Sequence, residues 1–179
     1  MTEQEMIMMT TNWPNGQIRK IERKANGELH GQQQGWYADG QPWYDHSYGR
    51  GKQHGRQQGW HANGQPWYDL NYDEHGQQHG RHQGWYADGQ LRYDSNYEQG
   101  ERHGRQQGWY PGGRPCYDRT YSHDEWHGSV REWDTNGNLT MDAWYEHGTI
   151  WGRKKAQRRL KGQKDLMVAA LVELAASYV

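Results

Sequence analysis

A unit of about 24 residues is repeated about five times between His30 and Ile150, and this repetition constrains the fold more than any other feature. The copies begin at His30, His54, His79, His103 and His127. Each follows roughly the pattern His-Gly-x-Gln-x-Gly-Trp-Tyr-x-x-Gly-x-x-x-Tyr-Asp-x-x-Tyr and then enters a loop. The copy from His54 carries one extra residue near Glu74-His75. A partial copy precedes the five at Trp13-Pro14-Asn15-Gly16, and another starts at Trp151-Gly152. A chain built this way folds as an array in which each unit packs on its neighbours, and arrays present long surfaces more often than pockets. A side chain found in every copy is therefore read first as framework.

The copies carry turn dipeptides at Asn15-Gly16, Asp39-Gly40, Asn63-Gly64, Asp88-Gly89, Gly112-Gly113 and Asn136-Gly137. Such pairs tolerate the positive φ that a type I′ hairpin turn needs at both central residues. The flanks alternate with period two: His30, Gln32, Gln34 and Trp36 share one face, and Gly31, Gln33, Gly35 and Tyr37 the other. The expected fold is all-β, an elongated single-layer antiparallel meander of hairpins with at most twelve strands, roughly 55 Å long at about 4.8 Å per strand. Aliphatic residues are scarce before the C-terminus and Phe is absent, whereas the chain holds 11 Trp, 13 Tyr and 24 Gly. Any core must then be thin and aromatic. Gly35, Gly59, Gly84 and Gly108 precede Trp36, Trp60, Trp85 and Trp109, a pattern suited to a cross-strand ring covering each glycine. The Trp at 36, 60, 85, 109 and 133 is read as the ring stack. Asp at 45, 69, 94, 118 and 142 (Glu22 in the partial copy) and Arg at 56, 81 and 105 suggest a register ladder. With a second loop over 49–52, Asp45 falls opposite Arg56, each exposed pair contributing about 0.2–1 kcal/mol.

Charge is unevenly distributed. Residues 1–152 carry a net −6, residues 153–164 a net +7 and residues 165–179 a net −2. The repeat body is not expected to attract nucleic acid. The basic segment consists of Arg153, Lys154, Lys155, Arg158, Arg159, Lys161 and Lys164. The single cysteine, Cys116, permits neither an internal disulfide nor a Cys-based metal site and fits a reducing compartment. Met1–Thr10 lacks the pattern of a secretory signal. The expected location is cytoplasmic.

The copies over 30–53 and 79–102 best match the motif Gly-x-x-x-x-Trp-Tyr-x-Asn-Gly followed by Tyr-x-x-Gly-x-x-x-Gly. This pattern, which covers about Trp13 to Gly152, resembles the MORN-repeat superfamily and within it the bacterial variant of the YwqK-like antitoxin family. The resemblance implies an extended hairpin sheet with a binding or scaffold role. Some members are similar to partners that neutralise a toxin, and eukaryotic relatives resemble membrane-associated scaffolds.

No catalytic residue is assigned, since nothing in the sequence orients Cys116 as a nucleophile. No metal or cofactor is expected either. The His at 30, 54, 79, 103 and 127 recurs about 9–10 Å apart in successive hairpins, too far for two of them to hold one ion with nitrogens about 2.0–2.1 Å from it. His46, His61, His75, His82, His123 and His147 are read as surface choices. The Gln-Gln pairs, such as Gln33-Gln34, Gln57-Gln58 and Gln106-Gln107, are read as solvated strand positions or as amides facing a polar ligand.

Aromatics that depart from the period point to a partner. Trp43 and Trp67 occupy a slot that becomes Arg92, Cys116 and Thr140, and Trp126 and Trp144 are singular. With Tyr37, Tyr86 and Tyr110 they form the expected contact surface, because Trp, Tyr and Arg are enriched at interface hot spots. Residues 165–179 read as a helix of roughly 21 Å with a wide apolar arc that includes Leu166, Met167, Leu171, Leu174 and Tyr178. It either caps the array, forms a homodimer or hetero-partner contact, or joins the basic segment on a membrane surface. The organisation expected is an N-terminal extension (1–12), the array (13–152), a basic linker (153–164) and the tail helix (165–179). The expected function is non-enzymatic occlusion of another protein: a toxin, effector or host enzyme. The alternatives are a membrane-surface scaffold and a glycan, nucleotide or small-ligand binder on the aromatic, Gln-rich face.

Overall fold

The computed structural model describes residues 6–153. The basic segment beyond Arg153 and the helix expected over 165–179 lie outside the described residues. One antiparallel sheet holds all fifteen strands. Its first half comprises β1 (Met6–Asn12), β2 (Ile18–Ala25), β3 (Glu28–Leu29), β4 (Gly31–Trp36), β5 (Pro42–Gly49), β6 (Lys52–Trp60), β7 (Pro66–Tyr72) and β8 (Gly80–Trp85). The second half comprises β9 (Leu91–Glu98), β10 (Glu101–Arg102), β11 (Gly104–Trp109), β12 (Pro115–Ser122), β13 (Glu125–Trp133), β14 (Leu139–Glu146) and β15 (Thr149–Arg153). Thirteen strands lie side by side in chain order, while the two-residue β3 and β10 pair with β2 and β9. Twelve spacings at about 4.8 Å make the sheet about 58 Å long. Six hairpins supply twelve of the thirteen strands and β15 is the thirteenth. Met6–Asn12 is not an appendage but the first strand of the first hairpin, paired with β2 from Met6↔Ala25 to Asn12↔Ile18.

The type I′ turns are not at the expected dipeptides. At Asn15-Gly16, Asp39-Gly40, Asn63-Gly64, Asp88-Gly89 and Asn136-Gly137 only the glycine has positive φ. The loops there have three residues, closed by pairs such as Gly40 N–H to Tyr37 O (3.0 Å) and Tyr37 N–H to Gln41 O (2.9 Å). This is a type I turn followed by a left-handed glycine, with Asp39 Oδ1 accepting from Gln41 N–H at 3.0 Å. Gly112 and Gly113 are both left-handed, because Pro111 precedes them and sets a type II turn. The type I′ loops form the opposite long edge: Asn26-Gly27, Arg50-Gly51, Gln99-Gly100, His123-Asp124 and His147-Gly148 have positive φ at both residues. The extra residue near Glu74-His75 converts the remaining loop of that edge to the three-residue form, closed by Asp73 N–H to Gln77 O at 2.9 Å.

Register is set by a bulge in each copy. Gly49 pairs with Lys52 and Tyr48 with Gln53, as an uninterrupted ladder requires, but His46 pairs with Gln57. His54, Gly55 and Arg56 thus face Ser47 alone, with Gly55 at φ +70. The bulge carries Asp45 past Arg56 to Gln58. The expected Asp45–Arg56 pair does not form. Asp45 accepts from Gln34 Nε2 (3.0 Å), and Arg56 reaches Asp69 in its own hairpin, Nε to Oδ1 2.9 Å. The same pairing recurs as Arg81–Asp94 (2.9 Å) and Arg105–Asp118 (2.8 Å). A ladder exists, therefore, but within hairpins rather than between them. Glu22 is outside it and pairs with Lys20 at 3.0 Å.

The bulge also explains the repeated glutamine. Gln33, Gln57 and Gln106 are buried rather than solvated, as is His82, which fills the same slot. The carbonyl opposite each bulge accepts a backbone N–H, as Asn71 O does from His79 at 2.9 Å, and the side chain in this slot adds a second donor. Gln57 Nε2 donates to the Ser47 carbonyl (2.7 Å) and approaches those of His54 (3.3 Å) and Gly55 (3.4 Å). Gln33 also accepts from Arg23 N–H at 2.8 Å. His82 Nε2 meets the Asn71 carbonyl at 2.7 Å, so the imidazole donates from Nε2. In the copy from His127 the slot holds Val130, which packs with Ala143 and Tyr145 in a small apolar cluster flanked by Trp126 and Met141.

Burial holds the His82 imidazole below its ordinary 6.5, against the opposing pull of the Asn71 carbonyl and Asp69. A base whose folded value is depressed takes up a proton more readily when unfolded. Its contribution is complete above about 6.5 and is lost as pH falls through the folded value. Acidifying from pH 8 to pH 5 is expected to destabilise the protein, and His82→Gln, which restores the amide of the neighbouring copies, to shallow that loss while leaving stability at pH 8 little changed. Parallel acid slopes in urea titrations of the two proteins would refute this. The residual slope is assigned to His46, also lowered by burial.

The glycine gaps are covered by rings, but by tyrosine rather than tryptophan. Gly35, Gly59, Gly84 and Gly108 lie directly across from Tyr44, Tyr68, Tyr93 and Tyr117. Trp36 pairs with Pro42 across a second irregularity and its side chain falls on the other face.

An aromatic and guanidinium row along one edge

Counting back three residues from the turn glycines at 16, 40, 64, 89 and 113 (though not 137, where Asp134 stands) reaches Trp13, Tyr37, His61, Tyr86 and Tyr110. Each of these side chains bonds to the backbone one repeat further on. Trp13 Nε1 donates to Trp36 O (3.0 Å), and Tyr37, Tyr86 and Tyr110 hydroxyls donate to Trp60 O (2.8 Å), Trp109 O (2.8 Å) and Trp133 O (2.9 Å). His61 Nε2 makes the equivalent contact with Trp85 O at 3.2 Å. The hydroxyls of Tyr37, Tyr86 and Tyr110 thus tie one hairpin to the next, and only their ring faces remain for a partner.

Beside this row runs the variable slot of Arg19, Trp43, Trp67, Arg92 and Cys116. Trp43 is the unpaired residue between Gly35↔Tyr44 and Trp36↔Pro42, and this bulge turns its ring onto the glycine face. There it lies 5.9 Å from Tyr37 and 5.2 Å from Tyr44, centroid to centroid. Trp67 sits likewise 5.7 Å from His61 and 5.2 Å from Tyr68. The two are joined through Tyr44, His46 and Tyr68 at 4.8 and 5.9 Å, and His46 Nε2 is 2.7 Å from the Tyr68 hydroxyl. The Tyr68 phenol is pushed up to about 12, first by burial and then by neighbouring tyrosines, so this run of rings is uncharged near neutrality. At its two ends an arginine takes the tryptophan's place: Arg19 over Trp13 (4.7 Å) and Arg92 over Tyr86 (5.9 Å). Trp43 and Trp67 remain 37% and 43% exposed although each touches two rings.

The other expected contacts lie elsewhere. Trp126 is half-buried, packs edge-on against Tyr145 (4.7 Å) and donates Nε1 to the Tyr121 hydroxyl at 2.7 Å. Trp144 is exposed on β14 between Ser129 and Gly152, at the far end of the sheet and apart from the row. Arg153 ends β15; Lys154, Lys155, Arg158, Arg159, Lys161 and Lys164, like Leu166, Met167, Leu171, Leu174 and Tyr178, lie outside the described residues. Sequence reading missed Arg19, His61 and Arg92, whose common signal is their distance from the turn glycine. On the opposite face, Trp60, Trp85, Pro66, Gln58, Gln83, Arg56 and Asp69 line a shallow hollow of about 320 Å³. Its charged members are bonded to each other as register pairs. The amides of Gln33, Gln57 and Gln106 are buried, and each Nε2 is bound to a backbone carbonyl.

Comparison with known families agrees with this architecture. The family described as MORN repeat variant matches residues 29–48, 53–74 and 78–99. No curated protein matches the chain. The matched stretches hold Trp43, Trp67 and Arg92. The copies from His103 and His127 and the first hairpin repeat the same pairing outside the matched residues.

Proposed function

We propose that this chain is a non-enzymatic binding module that covers a site on another protein with the row Arg19, Tyr37, Trp43, His61, Trp67 and Arg92. The observation that carries this reading is the departure from the period: the framework needs no tryptophan at 43 and 67, yet both copies place one there, exposed and held by two rings. Successive slots are about 9–10 Å apart, so four of them extend roughly 28 Å. That matches one side of a standard protein interface, about 800 Å². A rigid sheet loses little ordering entropy on binding, and its indoles, phenol and guanidinium groups are the types enriched at hot spots. Occlusion of a toxin or effector in the cytoplasm is the specific activity proposed, from the resemblance of the copies to antitoxin-type members; the MORN-repeat match supports a binding module in general.

The test is capture of partners by the full chain and by Trp43→Ala/Trp67→Ala, followed by titration of any protein retained. Each substitution is expected to cost about 2 kcal/mol or more, the hot-spot range, which is roughly 30-fold in affinity. Circular dichroism should show the variant folded, and Trp144→Ala should bind as wild type. Equal capture by wild type and double variant overturns the proposal. Flotation of the full chain with anionic vesicles, unaffected by the two substitutions, would favour a membrane scaffold instead.

A further inference from the structure

At the edge opposite the aromatic row, two type I′ loops of successive hairpins bring Glu98, His103 and His123 together. One ligand atom of each lies within 4.8 Å of the others. The geometry points to a binding site for a divalent transition ion, Zn²⁺ by ligand type, that clips the Gln99-Gly100 loop to the His123-Asp124 loop.

Several features favour a cation here. His103 is the residue preceding the bulge glycine Gly104 (φ +72), which fixes its backbone in place. Its Nδ1 is shut off from solvent and has no hydrogen-bond partner. It faces Glu98 Oε2 at 3.5 Å, close to the roughly 3.3 Å that two ligands about 2.0–2.1 Å from a tetrahedral zinc would be apart. The His123 ring lies 5.1 Å from that of His103, tilted 57° to it, and has its Nδ1 held by Glu101 Oε2 at 3.0 Å, which leaves Nε2 free. A carboxylate on the non-coordinating nitrogen is the outer-shell arrangement that orients metal-binding histidines. The nearby cation, Arg102, is already engaged by Asp124 (Nε to Oδ1 2.6 Å) and stacks on Tyr121 at 4.3 Å. Three acidic groups thus face one arginine around the cluster. Two imidazoles and a carboxylate suit zinc, and the fourth position stays open to water.

The last hairpins contain an internal comparison. His127 and His147 approach to 4.9 Å, centroid to centroid, in the equivalent positions, but Ser122 stands where Glu98 does. That pair lacks the carboxylate and is not assigned a site. The ladder of period histidines cannot hold an ion, as their spacing indicates. The site arises because His123 follows β12 and meets His103, which precedes β11, at the open end of one hairpin, while Glu98 comes from the hairpin before it.

Isothermal titration of the full chain with Zn²⁺, and Co²⁺ absorption as a report of coordination, test this. Wild type is expected to take up one ion with a tetrahedral Co²⁺ spectrum. Glu98→Gln and His123→Asn should weaken binding at least 10-fold; asparagine is chosen because it tolerates the positive φ at 123. Glu101→Gln, which removes no ligand, should weaken it roughly 10–100-fold. His147→Asn should bind as wild type. Absence of uptake by wild type, or equal uptake by wild type and folded His123→Asn, overturns the assignment.

Discussion

Gly59→Ala is expected to destabilise the protein by about 1–3 kcal/mol, the usual cost of forcing atoms into a filled space. At about 2–4 °C per kcal/mol for a chain of this size, thermal melting should show a drop of several degrees. The reason is specific to the pairing. The Tyr68 ring lies flat across Gly59, and a Cβ there would sit inside its Cε1 and Cζ atoms. Gly59 has no positive φ, so backbone strain is not the cause. Two controls separate the clash from helix or strand preference. Gly152→Ala, where a Cβ meets nothing within 4 Å, should be close to neutral. Combining Gly59→Ala with Tyr68→Ala should cost clearly less than the sum of the two, because the residues are in direct contact. Additive losses would mean that the ring does not cover the glycine.

Gln57→Leu should also be damaging, by about 0.5–1.5 kcal/mol, because it deletes the side-chain donor to the Ser47 carbonyl inside a buried bulge. Leucine keeps the volume and removes the hydrogen bonds, so the loss reports polar satisfaction rather than a cavity. Gln57→His should be milder, since His82 already performs the same task one copy later with Nε2 on Asn71 O. Chemical denaturation compares the three. A leucine variant as stable as wild type would show that the apolar solution seen at Val130 serves equally well at this slot, and that the amide is not needed.

Much of the architecture was legible in the residues because it is local and periodic. Alternation along each flank, a turn glycine every 24 residues or so, and glycines placed for a covering ring lead directly to a hairpin sheet. The reading failed where one residue decides a non-local outcome. Asn and Asp before glycine suit both type I′ turns and type I turns with a left-handed glycine, and the backbone chose the second. The pairs chosen for type I′, such as Arg50-Gly51 and Gln99-Gly100, carry no strong dipeptide signal; the two-residue spacing between paired strands imposes the conformation on them. The Asp45–Arg56 pairing was the correct answer for a ladder without a bulge, and the bulge at His54–Arg56 moved every partner by two. The slot beside the aromatic row was half visible. Trp43 and Trp67 stood out by departing from the period, whereas Arg19 and Arg92 gain meaning only when seen over Trp13 and Tyr86.

The sequence by itself determined the repeat, its hairpin character and the glycine positions that a ring covers, because these depend on composition and spacing within about 24 residues. Tertiary structure alone decided which ring covers each glycine, which arginine meets each aspartate, that the repeated glutamine is buried, and that His103 and His123 share one corner. Those outcomes depend on register between strands, and register is shifted by a two-residue bulge whose only trace in the chain is a His-Gly pair.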